Sequence, residues 1–174
     1  MRRRLLWVVT PLLAAGCASA GEPSSRRTAS AELRDTSGNT VGTVRLAEVA
    51  EGVRVIAETR DMPVGAHGFH VHAVGACEPT FEAAGDHLNP TGKQHGMLNP
   101  EGPHAGDLPN LTVTSDGRGR MEETTDRVTL AEGEGALLDD DGSAIVVHAE
   151  PDDQTTDPSG GSGDRIACGV VRRT

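Results

Sequence analysis

The stretch Gly65–Asn110, GAHGFHVHAVGACEPTFEAAGDHLNPTGKQHGMLNPEGPHAGDLPN, constrains this chain more than any other part of it. Six of the seven histidines lie in it, and the seventh, His148, follows His104 by 44 residues. The run GFHVH reads as a strand. Successive side chains of a strand alternate, so Phe69 and Val71 share one face and His70 and His72 the other. Two imidazoles on one face can hold a metal ion without bending the backbone. The next 38 residues are rich in Gly, Pro, Asn and Asp and show neither a helical nor a strand period. Structureless loops of that length are uncommon in compact domains and are usually functional or disordered. This one carries His87, His95, His104 and Asp107, which can fix such a loop by coordination. His67 stands at odd spacing from His70 and His72, hence on the opposite face of a regular strand. It reads as a supporting, hydrogen-bonding histidine rather than a ligand.

The remaining chain is a series of short alternating segments. Thr28–Asp35 and Val41–Val49 flank the turn residues SGN, and Gly52–Arg60 ends at Met62-Pro63. Gly68–Ala73 is the histidine strand. Leu111–Thr114 and Gly119–Thr124 flank Asp116-Gly117, Ser143–His148 follows the turn Asp140–Gly142, and Arg165–Val171 comes last. Asp126–Glu134 is a connection without a readable course, and Glu150–Gly163 is a polar loop. Eight short strands with no helical segment predict an all-β sandwich or barrel. Beyond the N-terminal segment the aromatic residues are Phe69 and Phe81, so the core has to be aliphatic. A formal charge of −10 argues against nucleic acid and anionic membrane surfaces as partners.

Six motifs now stand in order: GFHVH, AGDHLNP, HG, GPHAGDLPN, AIVVHAEPDD and GDRIACGVV. In that order and at those spacings the chain resembles the bacterial copper–zinc superoxide dismutases, strongly over Gly65–Val171 and as a pattern over about residues 28–64. The resemblance implies an eight-stranded Greek-key barrel or sandwich with a long metal-binding loop and a shorter channel loop. It implies copper held by His70, His72, His87 and His148, and zinc held by His87, His95, His104 and Asp107. His87 is then shared, one ring nitrogen toward each metal. Copper cycles between +2 and +1 as superoxide is disproportionated to dioxygen and hydrogen peroxide, while zinc, which has no redox chemistry, is structural. His87 and Arg165 become the catalytic residues, the first carrying a proton toward the departing peroxide and the second orienting a small anion beside copper. Asp152 matches the carboxylate that links a copper histidine to a zinc histidine, with Asp153 next to it as the alternative. Cys77 and Cys168 are the implied disulfide.

Every ligand position and Arg165 are filled, which favours an enzyme over a copper-storing module of the same fold. A purely structural sandwich would have no use for these residues. The implied substrate is an anion, yet the loop Ala149–Asp164 contains five acids and neither Lys nor Arg. Lys93, the only lysine, in the turn TGKQ beside His95, is the candidate for steering. A homodimer is left open.

The N-terminus, MRRR followed by LLWVVTPLLAA and GCASA, reads as an export signal too short to span a bilayer. With Cys77 and Cys168 paired, Cys17 is odd, and AAGC resembles a lipidation site. The expected division is therefore a signal peptide over 1–16, a lipid-attached tether over 17–27 and the enzyme domain over 28–174, a cell-envelope lipoprotein. Cleavage after Ala20, within Ala18-Ser19-Ala20, is the alternative and would release a soluble secreted or periplasmic protein. Losing Met1–Gly16 with its three arginines takes the formal charge to about −13.

Overall fold

A computed structural model describes residues 27–174; the expected signal peptide, Cys17 and nearly all of the tether lie outside them. Three strands open the domain: β1 (Thr28–Asp35), β2 (Thr40–Val49) and β3 (Gly52–Thr59). They alternate as the sequence does, with Leu33, Val44, Leu46, Val53 and Val55 buried and Arg45, Arg54 and Glu58 exposed. The β1–β2 turn is held by Asp35, whose carboxylate accepts the amides of Ser37 and Asn39 at 2.9 and 2.8 Å. The later strands are β4 (Gly65–His67), β5 (Phe69–His72), β6 (Leu111–Val113), β7 (Gly119–Thr125), β8 (Ala144–His148), β9 (Arg165–Val170) and β10 (Arg172–Arg173). Two of these ten, β4 and β10, are short pieces beyond the eight expected from the sequence.

The strands form one antiparallel sheet in the order β4-β6-β7-β3-β2-β1-β9-β8-β5, with β10 on β1. Its two ends, β4 and β5, are separated in the chain by Gly68 alone, so the sheet must curl until its edges nearly meet. Gly68 makes the junction: its amide donates to Glu150 O and its carbonyl accepts from His148 N, both at 2.8 Å. The connections β3 to β4 and β7 to β8 skip over neighbouring strands, as Greek-key crossings do.

The barrel interior is aliphatic as expected, with Leu33, Leu46, Leu108, Leu111 and Ile145 fully buried around Phe69. Each such side chain contributes about 1.5–3 kcal/mol on leaving water. The unreadable connection after β7 acquires a role here, since Val128, Leu130 and Leu137 join that core. A smaller cluster of Ala84, Ala144, Val146 and Cys168 lies apart from it, with Cys77 and Phe81 against it.

Strand β5 is buried on both faces. Its outer edge is not left open, because the long loop lies along it. Val71 N donates to Gly106 O and Val71 O accepts from Leu88 N, both at 2.9 Å, which blunts an edge that would otherwise pair with another chain. Within that loop a four-residue 3-10 turn, Phe81–Ala84, is the one regular element. It is too short to impose a period on the sequence.

Candidate metal centre

Four histidines converge on the outer face of β5. His70 and His72 come from β5, His148 from the end of β8, and His87 from the loop strapped along the β5 edge. A bulge aligns His148. Ile166 is the extra residue of β9 opposite the Val147–His148 step, which sets Arg165 opposite His148. One ring nitrogen of each histidine lies within 4.8 Å of those of the other three.

The outward nitrogens of three of these rings are tied down. His70 Nε2 lies 2.7 Å from Asp152 Oδ2, His72 Nδ1 2.8 Å from Gly85 O, and His148 Nδ1 3.0 Å from Gly163 O. A ring that donates from one nitrogen presents a lone pair on the other. The inward atoms are His70 Nδ1 and His87 Nε2, which are buried without any hydrogen-bond partner, and His72 Nε2 and His148 Nε2, which face each other at 3.5 Å. Four lone pairs pointed at one another in a buried space are repulsive unless a cation stands between them. The set fits a copper ion.

A second cluster shares His87. Asp107 Oδ1 lies 3.0 Å from His87 Nδ1, 2.9 Å from His95 Nδ1 and 3.4 Å from His104 Nδ1. Its other oxygen accepts the amides of Gly96 and His104 at 2.8 and 2.9 Å, so the carboxylate is fixed by the loop it organises. Three imidazoles around one carboxylate oxygen make a nitrogen-rich set of four donors of the kind that zinc takes. Asp152 joins the clusters, with Oδ2 on His70 and Oδ1 3.0 Å from His95 Nε2.

The ionisation of the site agrees with this fit. Burial pushes His70 down to about 3, with His87 adding to it against the pull of Asp152; burial likewise takes His148 down to about 4 and lowers His72 and His104. Neutral imidazoles are the ligating form. Burial also opposes a charge on His95, but Asp107 and Asp152 at its two nitrogens outweigh it and raise this histidine to about 9. Both carboxylates, although buried, are held far below their usual range by these histidine contacts. Positive charge is therefore favoured at His95 Nδ1, where a proton stands in for a divalent ion.

The two loops meet over the site with no room to spare. Gly96 has φ +106°, and a Cβ there would stand 2.2 Å from Gln154 O; Gly160 has φ +62°, and its Cβ would stand 1.7 Å from Asp152 Oδ1. Only glycine fits either place. The loop carrying Asp152 is docked by Asn110, which donates to Asp152 O at 2.8 Å and accepts from Asp152 N at 2.9 Å. Asp153, the alternative to Asp152, instead turns back on Thr155 and Thr156 of its own loop.

The other expected residues are placed as follows. Arg165 projects into the cleft that leads to His72, His87 and His148, and donates through Nη1 to Phe81 O at 2.8 Å. Cys77 and Cys168 are disulfide-bonded, tying the loop to β9. Lys93 lines the same cleft, with its backbone clipped to Asn89. His67 stays out of both clusters: Nδ1 faces His148 O and Nε2 faces Pro63 O, so it braces the β4–β8 junction. Sequence reasoning missed Asn110, Arg127, which donates to Asp107 O at 2.6 Å, and the carbonyls of Phe81, Gly85 and Gly163. Asn110 at least closes the quoted motif GPHAGDLPN; a carbonyl that aims a ring leaves no signal in side-chain identity.

Residues 40–171 match the family model described as copper/zinc superoxide dismutase. A protein named copper–zinc superoxide dismutase 2 from Aquifex aeolicus is 46% identical over 83% of this chain and 86% of its own length. One named copper–zinc superoxide dismutase from Deinococcus radiodurans is 39% identical over 94% and 95%. Among solved structures, a superoxide dismutase-like protein from Bacillus subtilis is similar with a TM-score of 0.77 and 39% identity, covering 81% of this chain and 96% of its own.

Proposed function

Because the chain belongs to the copper/zinc superoxide dismutase family, we propose that it is an exported enzyme that removes superoxide at the cell envelope, with the residue roles set out below. It is an oxidoreductase of the copper/zinc type, with copper and zinc as its cofactors. His70, His72, His87 and His148 hold copper; His87, His95, His104 and Asp107 hold zinc. The observation that carries this assignment is the single shared imidazole, buried His87, whose Nδ1 faces the Asp107 cluster while Nε2 faces the other three histidines.

Bound copper supplies one-electron chemistry, oxidising one superoxide and reducing the next. The protein's own part is to dock the anion and deliver a proton. Arg165 presents a guanidinium whose orientation is set by Phe81 O and whose outer edge, with Nη2 3.5 Å from Glu82 Oε2, is the place for a small anion to dock. His87 Nε2 belongs to the copper set, and by the family resemblance this nitrogen would also carry a proton to the departing peroxide when it is not on the metal. Asp107 keeps the His87 ring fixed at its other nitrogen while this happens. Asp152 holds His70 and His95 in register, so the two metal sites cannot move independently. Lys93 at the cleft adds the one lysine able to attract the substrate.

Export and lipid attachment at Cys17 rest on the N-terminal residues, with cleavage after Ala20 as the second route. The proposed organisation is a signal peptide over 1–16, a tether over 17–27 and the enzyme domain over 28–174. The mass of the native N-terminus decides: a diacylglyceryl-modified Cys17 is expected, and a free Gly21 would overturn it. Turnover of superoxide per bound copper tests the activity. Metal-loaded protein without turnover would leave a storage module.

A further inference from the structure

The cleft above His148 and His87 is lined by Glu82, Asp86, Asp139, Asp141, Asp157 and Asp164. Its cationic side chains are Lys93 and Arg165. Two divalent ions on its floor do not reverse that balance. Asp107 and Asp152 offset two of their four positive charges, and the remaining two together with Lys93 and Arg165 fall short of the six carboxylates, leaving the cleft net negative. The arginine that would receive the substrate is itself engaged. Its Nη1 donates to Phe81 O at 2.8 Å, and its Nη2 lies 3.5 Å from Glu82 Oε2. The Arg165 side chain is only 14% exposed, whereas Glu82 is 76% exposed on the 3-10 turn beside it. An anion arriving from solvent therefore meets the Glu82 carboxylate at the outer edge of the guanidinium before it meets the guanidinium.

We propose that Glu82 limits the rate and anion preference of this enzyme: its carboxylate competes with superoxide for the outer edge of Arg165. With the five acids around it, it makes the approach repulsive, so that turnover rises with ionic strength instead of falling. The inference rests on Arg165 as the docking group. Repulsion of this kind is a long-range effect at low salt, where the screening length is about 30 Å at 10 mM, and fades when it shrinks to about 8 Å at physiological strength. The sequence hints at the acids of Ala149–Asp164, but not at Glu82 or at Asp139 and Asp141. These reach the cleft only because the 3-10 turn and the β7–β8 connection fold over it.

The test is the second-order rate of the copper- and zinc-loaded protein with superoxide, by stopped flow from 10 to about 300 mM ionic strength, for the natural chain and for Glu82→Gln, Glu82→Lys and Arg165→Gln. The natural enzyme should speed up with salt. Glu82→Gln should be roughly two- to fivefold faster at low salt with a flatter slope, and Glu82→Lys faster again with a falling slope. Azide, a monovalent anion read by its charge-transfer absorption on cupric protein, should bind Glu82→Gln more tightly by a similar factor at unchanged metal content. If Glu82 serves only to hold Arg165 in place, Glu82→Gln will be slower at every salt with its slope unchanged, and the proposal is overturned. A natural enzyme whose rate falls with salt overturns it too. Arg165→Gln separates the premises: a slower enzyme upholds docking at Arg165 whatever Glu82 does, whereas an unchanged rate removes the docking site and this proposal with it.

Discussion

Strands β3 and β5 belong to one sheet and obey the same alternation, yet they solve opposite problems. β3 puts Val53, Val55 and Ala57 inside and leaves Arg54 and Glu58 in water, where they pair with Glu122 and with Arg45 and Arg120 across the strands. Such pairs are screened and replaceable, and the strand is held by its inner face alone. β5 has no water-facing side: Phe69 and Val71 enter the core, and His70 and His72 are equally buried under two loops. Buried polar rings are costly unless every nitrogen is used. On β5 the inward nitrogens have nothing to use but a metal. A strand with one wet face is a scaffold; the same strand with its second face sealed becomes a site that the apolar effect alone cannot hold.

The comparison can be broken most directly at the histidines. His148→Ala should abolish copper-dependent turnover while the protein stays folded and keeps its zinc, because His148 belongs to the copper set alone and its other nitrogen meets only Gly163 O. Turnover that persists in a pure, copper-loaded sample would remove His148 from the ligands.

Removing both metals should loosen the loop Gly75–Asn110 and spare β1, β2 and β3. Hydrogen exchange with and without metal should show protection lost first at Leu88 and Gly106 and last at Val44 and Val55. Equal losses in the two regions would mean that the metal holds the whole barrel and that the contrast is false.

Breaking the disulfide by Cys77→Ser with Cys168→Ser should cost about 2–5 kcal/mol in urea unfolding, the usual range for a native bridge. Asp152→Ala should weaken metal binding by about 10- to 100-fold while leaving most of the ligands in place.

Acid should separate the two strands in the metal-free protein. His70 and His148 fold at about 3 and about 4, below the 6.5 of an exposed imidazole. Between pH 6.5 and 4 the unfolded chain binds more protons, so their contribution is present above 6.5 and lost as the pH falls through that window. His95, raised to about 9, acts the other way: its contribution is present below 6.5 and lost as the pH rises through 9. A midpoint of thermal unfolding that does not fall between pH 7 and 4 would contradict the buried neutral rings.

The smallest effect belongs to β2 and β3. Arg45→Gln breaks the 3.0 Å pair with Glu58 at no more than about 1 kcal/mol. A larger cost would mean that the outer face of this sheet does more than stay wet.

What could be read from the chain alone was whatever depends on local period and residue type. The alternation of β1, β2 and β3, the two-faced run FHVH and the clustering of His87, His95, His104 and Asp107 follow from strand geometry and from which side chains can ligate. The fold class was legible in that alternation, whereas the division into two ligand sets, with His148 in one of them, came from the family resemblance that the order of six motifs carries. What the sequence could not contain is distance across the fold. That Asp152 rather than Asp153 reaches His70 and His95 was decided by the turn around Asp153 and by Asn110, 42 residues earlier. The 3-10 turn at Phe81–Ala84 swings Glu82 onto Arg165, and the β7–β8 connection brings Arg127 to Asp107 O and Asp139 to the cleft. Those contacts exist because a sheet whose first and last edges are joined by Gly68 must close, and closing it brings loops from opposite ends of the chain over one face.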